Sequence, residues 1–145
     1  MNDPSIEEIA GTAPDLAATL VEAGLPIEDL AEPGRRFFHF SEHGHTIGYM
    51  GWESDGAHAL LRSAVVVPAR RGQGDGTQMI RWALTRLAEL GVADAWMLTT
   101  TQEIWARRLG FAPIDRDAAP DVVRRSRQFA RLCPSTARLL HRSLP

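Results

Sequence analysis

The chain contains no lysine, and all sixteen of its basic side chains are arginine. Schiff-base chemistry through a lysine amine is therefore excluded. So is a Walker A phosphate loop, which needs Gly-Lys-Ser/Thr. A single cysteine, Cys133, rules out an internal disulfide. There is a single tyrosine, Tyr49. The formal net charge is −2, so no basic excess points to nucleic acid as a main partner. No apolar run reaches the length of a membrane span, so no membrane association is expected. The opening residues, Met1-Asn2-Asp3-Pro4-Ser5, lack the basic and apolar parts of a secretory signal, and a cytoplasmic location is expected. His39, His43 and His45 lie close together, but Ser41, Glu42 and Gly44 among them read as a hairpin turn, and no metal is expected.

A length of 145 residues suits one domain, 1–145, with one sizeable core. The pattern alternates strands and helices, which implies an α/β domain (α+β in the wider sense) with a central mixed sheet. Strands are expected at 6–9, 37–40, 46–52, 57–67, 95–99, 112–115 and 136–144, with Glu42-His43-Gly44 turning the first hairpin. Helices are expected at 15–23, ended by Gly24, and as a single turn at 27–30. A longer helix follows residue 76, with Ile80, Ala83, Leu84, Leu87 and Gly91 on one face. A short helix at 103–109 stops at Gly110, and another starts at Pro120 with Val122, Ser126 and Phe129 or Ala130 buried. Strand, helix and strand across 57–99 imply a right-handed parallel crossover.

The most informative stretch runs from Ala64 to Thr77. An apolar strand ends at Pro68, and Arg70 and Arg71 follow. Gly72, Gly74 and Gly76 then occupy alternate positions, and a helix opens. Glycines let a backbone approach a ligand and adopt dihedrals that a Cβ forbids. The N–H groups of a helix start make an anion site. The physical reading is a pyrophosphate cradle, with a plain glycine loop as the bland alternative. A dinucleotide fingerprint would need an acidic residue ending the next strand, but Ala95-Trp96-Met97-Leu98-Thr99-Thr100 ends in threonines.

Ala64-Val65-Val66-Val67-Pro68, followed by Arg71-Gly72-Gln73-Gly74-Asp75-Gly76, resembles the acyl-CoA loop of the GNAT N-acetyltransferases. Trp105-Ala106-Arg107-Arg108-Leu109-Gly110-Phe111 resembles their short helix closing on Leu-Gly-Phe. The resemblance spans about residues 5–143. It implies a sheet whose fourth and fifth strands splay to admit CoA. It also implies acetyl-CoA as co-substrate, bound by Ala64, Val65, Val66, Arg71, Gly72, Gln73, Gly74, Asp75, Gly76, Thr77 and Trp105. The N–H of Val66 matches the family's thioester-polarising amide. The family's acid, a tyrosine, would stand at Ala106, and its absence leaves water or an unassisted thiolate.

Other site residues have two readings each. Arg62 shares a face with Ala64 and Val66 by strand alternation, so it is either an anchor for an anionic acceptor or a solvated edge arginine. Glu103 is a base acting through water or a first-turn helix acid. Thr99 and Thr100 would contact acceptor or pantetheine, and Thr101 would cap the helix. Residues 98–111 are also similar to the C-terminal half of bacterial N-acetylglutamate synthases. Ile114 to Pro120, with Phe129 and Leu132-Cys133-Pro134-Ser135-Thr136-Ala137, resembles GNAT proteins associated with arsenic-resistance operons. Cys133 reads as a reactive thiol or a small hydrophobe. The expectation is N-acetylation of a small amino-acid-like amine, linked to arsenic resistance, with a homodimer as the candidate assembly. The alternative is a non-catalytic acyl-CoA-binding or sensor module.

Overall fold

The computed structural model describes residues 4–131 and 137–145. Its strands are β1 (Ser5–Ile9), β2 (Arg35–Glu42), β3 (His45–Ser54), β4 (His58–Val66), β5 (Asp94–Thr99), β6 (Ala112–Ile114) and β7 (Arg138–Ser143). They form one mixed seven-stranded sheet in the order β1-β2-β3-β4-β5-β7-β6. The helices are α1 (Pro14–Glu22), α2 (Asp75–Glu89), α3 (Glu103–Arg108), α4 (Asp121–Arg124) and α5 (Arg127–Arg131). The mixed sheet with helices is the expected class. No helix among the described residues is long and apolar enough to cross a membrane.

β1 lies antiparallel on β2, from Ser5 opposite Ser41 to Ile9 opposite Phe37. β4 runs parallel to β5, with His58 opposite Asp94 and Leu60 opposite Trp96. α2 lies between them in the chain, as a parallel pair requires a crossover. β5 and β7 are antiparallel from Asp94–Ser143 to Thr99–Arg138. β6 closes the order on β7, with Ala112 opposite His141.

The described residues divide into two compact units. One comprises the chain up to Trp52 together with Arg62–Trp82, and the other Glu53–Leu61 together with the chain from Ala83 onward. In the first, Leu16, Leu20, Leu30, Phe37, Tyr49 and Val65 pack together. Leu16 and Leu20 are one helical turn apart, so α1 buries the face its period announced. Gly24 ends that helix at φ 76, and the Leu25 N–H closes on the Leu20 carbonyl at 2.9 Å. The expected helix turn at 27–30 is an isolated hydrogen-bonded turn instead, closed by a 3.4 Å bond from the Leu30 N–H to the Ile27 carbonyl. Pro26 and Pro33 leave too little chain between them to propagate a helix. The hairpin turn is His43-Gly44, both left-handed at φ 52 and 79, and Glu42 belongs to β2.

In the second unit, Leu60, Trp96, Leu98, Ala119, Val122, Val123 and Leu139 form the core. The single helix expected from Pro120 is two helices, α4 and α5. Ser126 makes the break: its hydroxyl donates to the Val123 carbonyl at 2.7 Å and accepts the Phe129 N–H at 3.0 Å. In α2, Ile80, Ala83, Leu84 and Leu87 are buried as expected. Gly91 is exposed beyond the helix end at φ 87, so it terminates the helix and does not pack. Asp115 leaves β6 and opens a 3-10 turn at Arg116–Ala118, its carboxylate accepting the Asp117 N–H at 3.0 Å. The last strand begins at Arg138, and its expected start at Thr136 lies outside the described residues.

Candidate functional site

β4 ends at Val66, a 3-10 turn spans Pro68–Arg70, and α2 begins at Asp75. Between them Gly72 and Gly74 sit at φ 81 and 85. A Cβ built on either would meet no atom within 4 Å, so both positions are glycine for conformation, and the space beside them is open. Gly76 differs: it belongs to α2 and is absent from the left-handed positions. The reason given for three glycines therefore holds for two. The Gln78 N–H bonds the Gly74 carbonyl at 3.2 Å, and the amides of Asp75 and Gly76 precede that first helical bond. They stand where a helix start offers N–H groups to an anion.

The two loop arginines divide their work. Arg70 donates through Nε and Nη2 to the Asp75 carboxylate at 3.1 and 3.2 Å, and its Nη1 lies 3.5 Å from Glu42. Its charge is balanced within the loop. Arg71 is exposed, and its Nε donates to the Val66 carbonyl at 2.9 Å. That bond folds the loop back onto the end of β4 and brings Arg71 beside Val66. Asp75 thus anchors Arg70 and enriches the first turn of α2 in negative charge, so its carboxylate is a clamp, not an anion ligand.

Upstream, β4 is not a regular strand. Ser63 has φ 57, and Arg62, Ser63 and Val65 are buried while Ala64 is exposed. A left-handed residue inside a strand acts as a bulge and breaks the two-residue alternation. It costs roughly 1 kcal/mol or more for a residue with a side chain. The expected sharing of one face by Arg62, Ala64 and Val66 therefore fails at Ser63. Beyond it, β3 and β4 approach closely: a Cβ on Gly48 would lie 2.1 Å from the Val65 carbonyl oxygen.

Arg62 matches neither of its expected roles. It is 3% exposed, so it is no solvated edge arginine. Its fork is closed on Asp29, with Nη2 donating to Oδ1 at 2.8 Å and Nη1 to Oδ2 at 2.5 Å, while Nε donates to the Ser63 hydroxyl at 3.0 Å. Arg35 adds a 3.0 Å bond from Nε to the same Oδ2. Burial would raise the Asp29 pKa, but the Arg62 and Arg35 guanidiniums outweigh it and hold the carboxyl down at about 2, from an ordinary 3.8. Asp29 was missed in the sequence. It stands 33 positions from Arg62, and no local pattern couples the two.

In the second unit, Thr99 ends β5 with its hydroxyl oxygen accepting the Gln102 N–H at 2.9 Å and the Thr101 N–H at 3.3 Å. The N-cap of α3 is Gln102, with no side-chain cap bond, so Thr101 does not cap the helix; the Thr99 hydroxyl closes the turn before it, and Thr100 is exposed. Glu103 opens α3 and pairs with Arg107 at 3.0 Å and Arg138 at 3.5 Å. This arrangement suits the first-turn helix acid, with two largely exposed arginines beside the carboxylate. Trp105 is half-buried. Ala106, at the position where the family carries tyrosine, is fully buried. Tyr49, in the first unit, is buried too, and burial raises its phenol pKa. Cys133 lies outside the described residues.

The sequence profile of the Acetyltransferase (GNAT) family matches residues 6–111. A mycothiol acetyltransferase from Nocardia farcinica is 33% identical over a match covering 66% of this chain and 38% of that protein. N-acetylglutamate synthase from Neisseria gonorrhoeae, solved with coenzyme A and N-acetyl-glutamate, superposes with a TM-score of 0.79 at 18% identity, covering 100% of this chain and 36% of that one. A GNAT-family acetyltransferase from Staphylococcus aureus Mu50 gives 0.68 at 17% identity, with 97% and 100% coverage. The chain thus spans little more than a third of the length of the mycothiol acetyltransferase and of the glutamate enzyme. The structural likenesses establish the fold.

Proposed function

The chain belongs to the GNAT family of acetyltransferases, and from that premise we propose that it is an acetyl-CoA-dependent N-acetyltransferase for a small amino-acid-like amine. The observation that carries the reading is the pair of left-handed glycines, Gly72 and Gly74, leading into the N-terminus of α2. That arrangement fits a pyrophosphate, and the open space beside both glycines leaves room for it. Acetyl-CoA supplies the acyl group as a thioester. The amides of Asp75 and Gly76 receive the phosphate oxygens, and Arg71 adds an exposed cation beside Val66. The Val66 N–H polarises the thioester carbonyl. Ala64, Val65, Gln73 and Thr77 border the same ligand in this reading.

The amine attacks directly in a ternary complex as its neutral free base. The C–S bond of the thioester breaks as the C–N bond forms, and the proton shed by nitrogen goes to water or to the departing thiolate. No tyrosine stands at Ala106, and Glu103 is held by Arg107 and Arg138, so neither is given a proton-transfer step. The departing CoA thiolate resembles a free cysteine, with a pKa of about 8.5, and leaves without a strong acid. The amino-acid-like acceptor, with arsenical analogues in the same class, is supported by the similarity of 114–120 to the arsenic-associated proteins. A cytoplasmic setting and a homodimer belong to the same proposal.

A second reading has its own observation. The buried alanine in place of the acid suits a module that binds acyl-CoA without turning it over. Thiol release separates the two. The protein is incubated with acetyl-CoA and a panel of amino acids, their phosphonate and arsonate analogues, and simple amines. Release that depends on an amino-acid-like amine supports the transferase. Calorimetric binding of acetyl-CoA with no release across the panel supports the sensor. No binding at all overturns both.

A further inference from the structure

Ser63 and His43 are the two non-glycine residues with positive φ among those described. His43 sits in a hairpin turn that demands it. Ser63 sits inside β4, with 6% exposure and no turn around it. A side-chain-bearing residue keeps such a backbone only where its surroundings over-determine it. Those surroundings are the Arg62 guanidinium, gripped at one end by Asp29 and bonded at the other to the Ser63 hydroxyl at 3.0 Å. The Phe37 ring covers the guanidinium at 5.6 Å, and Arg35 Nε donates to Asp29 Oδ2, the oxygen that Arg62 Nη1 also bonds, at 3.0 Å. Ala59 to Ser63 are all buried, and past Ser63 the strand alternates, with Ala64 exposed and Val65 buried.

We infer that Asp29 is a positioning residue for acyl transfer, acting through Arg62 to hold Ser63 left-handed and so to aim the backbone amides of Ala64, Val65 and Val66. The inference rests on the proposed role of the Val66 N–H. Asp29 touches neither acetyl-CoA nor acceptor in this reading. Its effect is on the direction of a backbone donor, which is a kcat property and not an affinity for the nucleotide end of acetyl-CoA.

The test is suppression at a second site. Asp29→Asn keeps the shape of the side chain and removes its charge. It should lower kcat by about tenfold or more, with the acetyl-CoA Kd within about twofold of wild type. Glycine adopts left-handed backbone without help. The double variant Asp29→Asn, Ser63→Gly should therefore recover kcat to within about threefold of wild type. A purely structural role for Asp29 predicts no recovery, and that result overturns the inference. If Asp29→Asn does not fold, Ser63→Ala removes the hydroxyl that anchors Arg62 and should lower kcat by about threefold. Wild-type kcat in that variant overturns the inference as well. Amide hydrogen exchange at residues 64–66 decides the clamp independently of turnover. It should quicken in Asp29→Asn and slow again in the double variant, and unchanged exchange refutes the clamp. Failure of the proposed function shows separately, as a wild-type protein that releases no thiol.

Discussion

Arg62 and Arg71 stand on either side of Val66 in opposite surroundings. Arg71 is exposed and donates to a backbone carbonyl five positions back in the chain. Arg62 is 3% exposed, and its guanidinium is locked by a carboxylate far away in sequence. The loop around Arg71 is built by local rules: positive-φ glycines, a helix start, and an arginine and aspartate on neighbouring turns. The environment of Arg62 is built by burial. A guanidinium withdrawn from water needs a counter-charge, and Asp29 is the group that the fold brings to it. The comparison teaches that one residue type serves as a solvated cation in the glycine loop and as a structural pin in the strand feeding that loop.

The largest expected effect breaks the buried side. Asp29→Ala leaves Arg62 and Arg35 without their shared carboxylate and should destabilise the protein by about 3–5 kcal/mol in urea unfolding. Retention of wild-type stability would mean that the pair is dispensable.

Breaking the exposed side should spare the fold and strike the ligand. Gly74→Val forces a β-branched residue to φ 85. It should weaken acetyl-CoA binding about a hundredfold, equivalent to roughly 2.7 kcal/mol by calorimetry. Unchanged affinity in a folded variant would remove the pyrophosphate assignment.

Acid sharpens the contrast. Asp29 has a depressed folded-state pKa of about 2 against 3.8 unfolded. Its contribution to stability is therefore fully present above the unfolded value and is lost as pH falls from there toward 2. The size of that contribution is on the order of 2 kcal/mol. Denaturation followed from pH 6 to pH 2 should show this limb, and Asp29→Asn should flatten it. An equally steep limb in the variant would assign it to other carboxylates.

The smallest effect belongs to Arg71. Arg71→Ala should change stability by less than about 0.5 kcal/mol, as exposed positions do. It should raise the acetyl-CoA Kd only a few-fold and make binding less sensitive to salt. A stability loss comparable to that of Asp29→Ala would erase the distinction between the two arginines.

Much of the fold was legible because its signals are short-range. Ile80, Ala83, Leu84 and Leu87 announce the buried face of α2, and Gly24 and Gly110 announce two helix ends. His43-Gly44 announces a hairpin. Errors arose where a side chain competed locally with the helix period, as Ser126 does in splitting α4 from α5. They also arose where proline spacing cut an element short, as at 27–30. The glycine loop was legible for the same local reason, although Gly76 is helical.

The sequence by itself determined the family, most of the element order and the glycine loop ahead of α2, because glycine dihedrals, helix starts and apolar periodicity act within a few residues of the chain. It also determined that no lysine and no tyrosine at Ala106 takes part in the chemistry. Tertiary structure alone decided the burial of Arg62, the choice of Asp29 as its partner and the left-handed Ser63. It also closed the Thr99 hydroxyl on the turn before α3 and paired Glu103 with Arg138. Of these, the Arg62–Asp29 and Glu103–Arg138 pairings arise between groups distant in sequence and exist only once burial or packing brings them within hydrogen-bonding or ion-pairing reach.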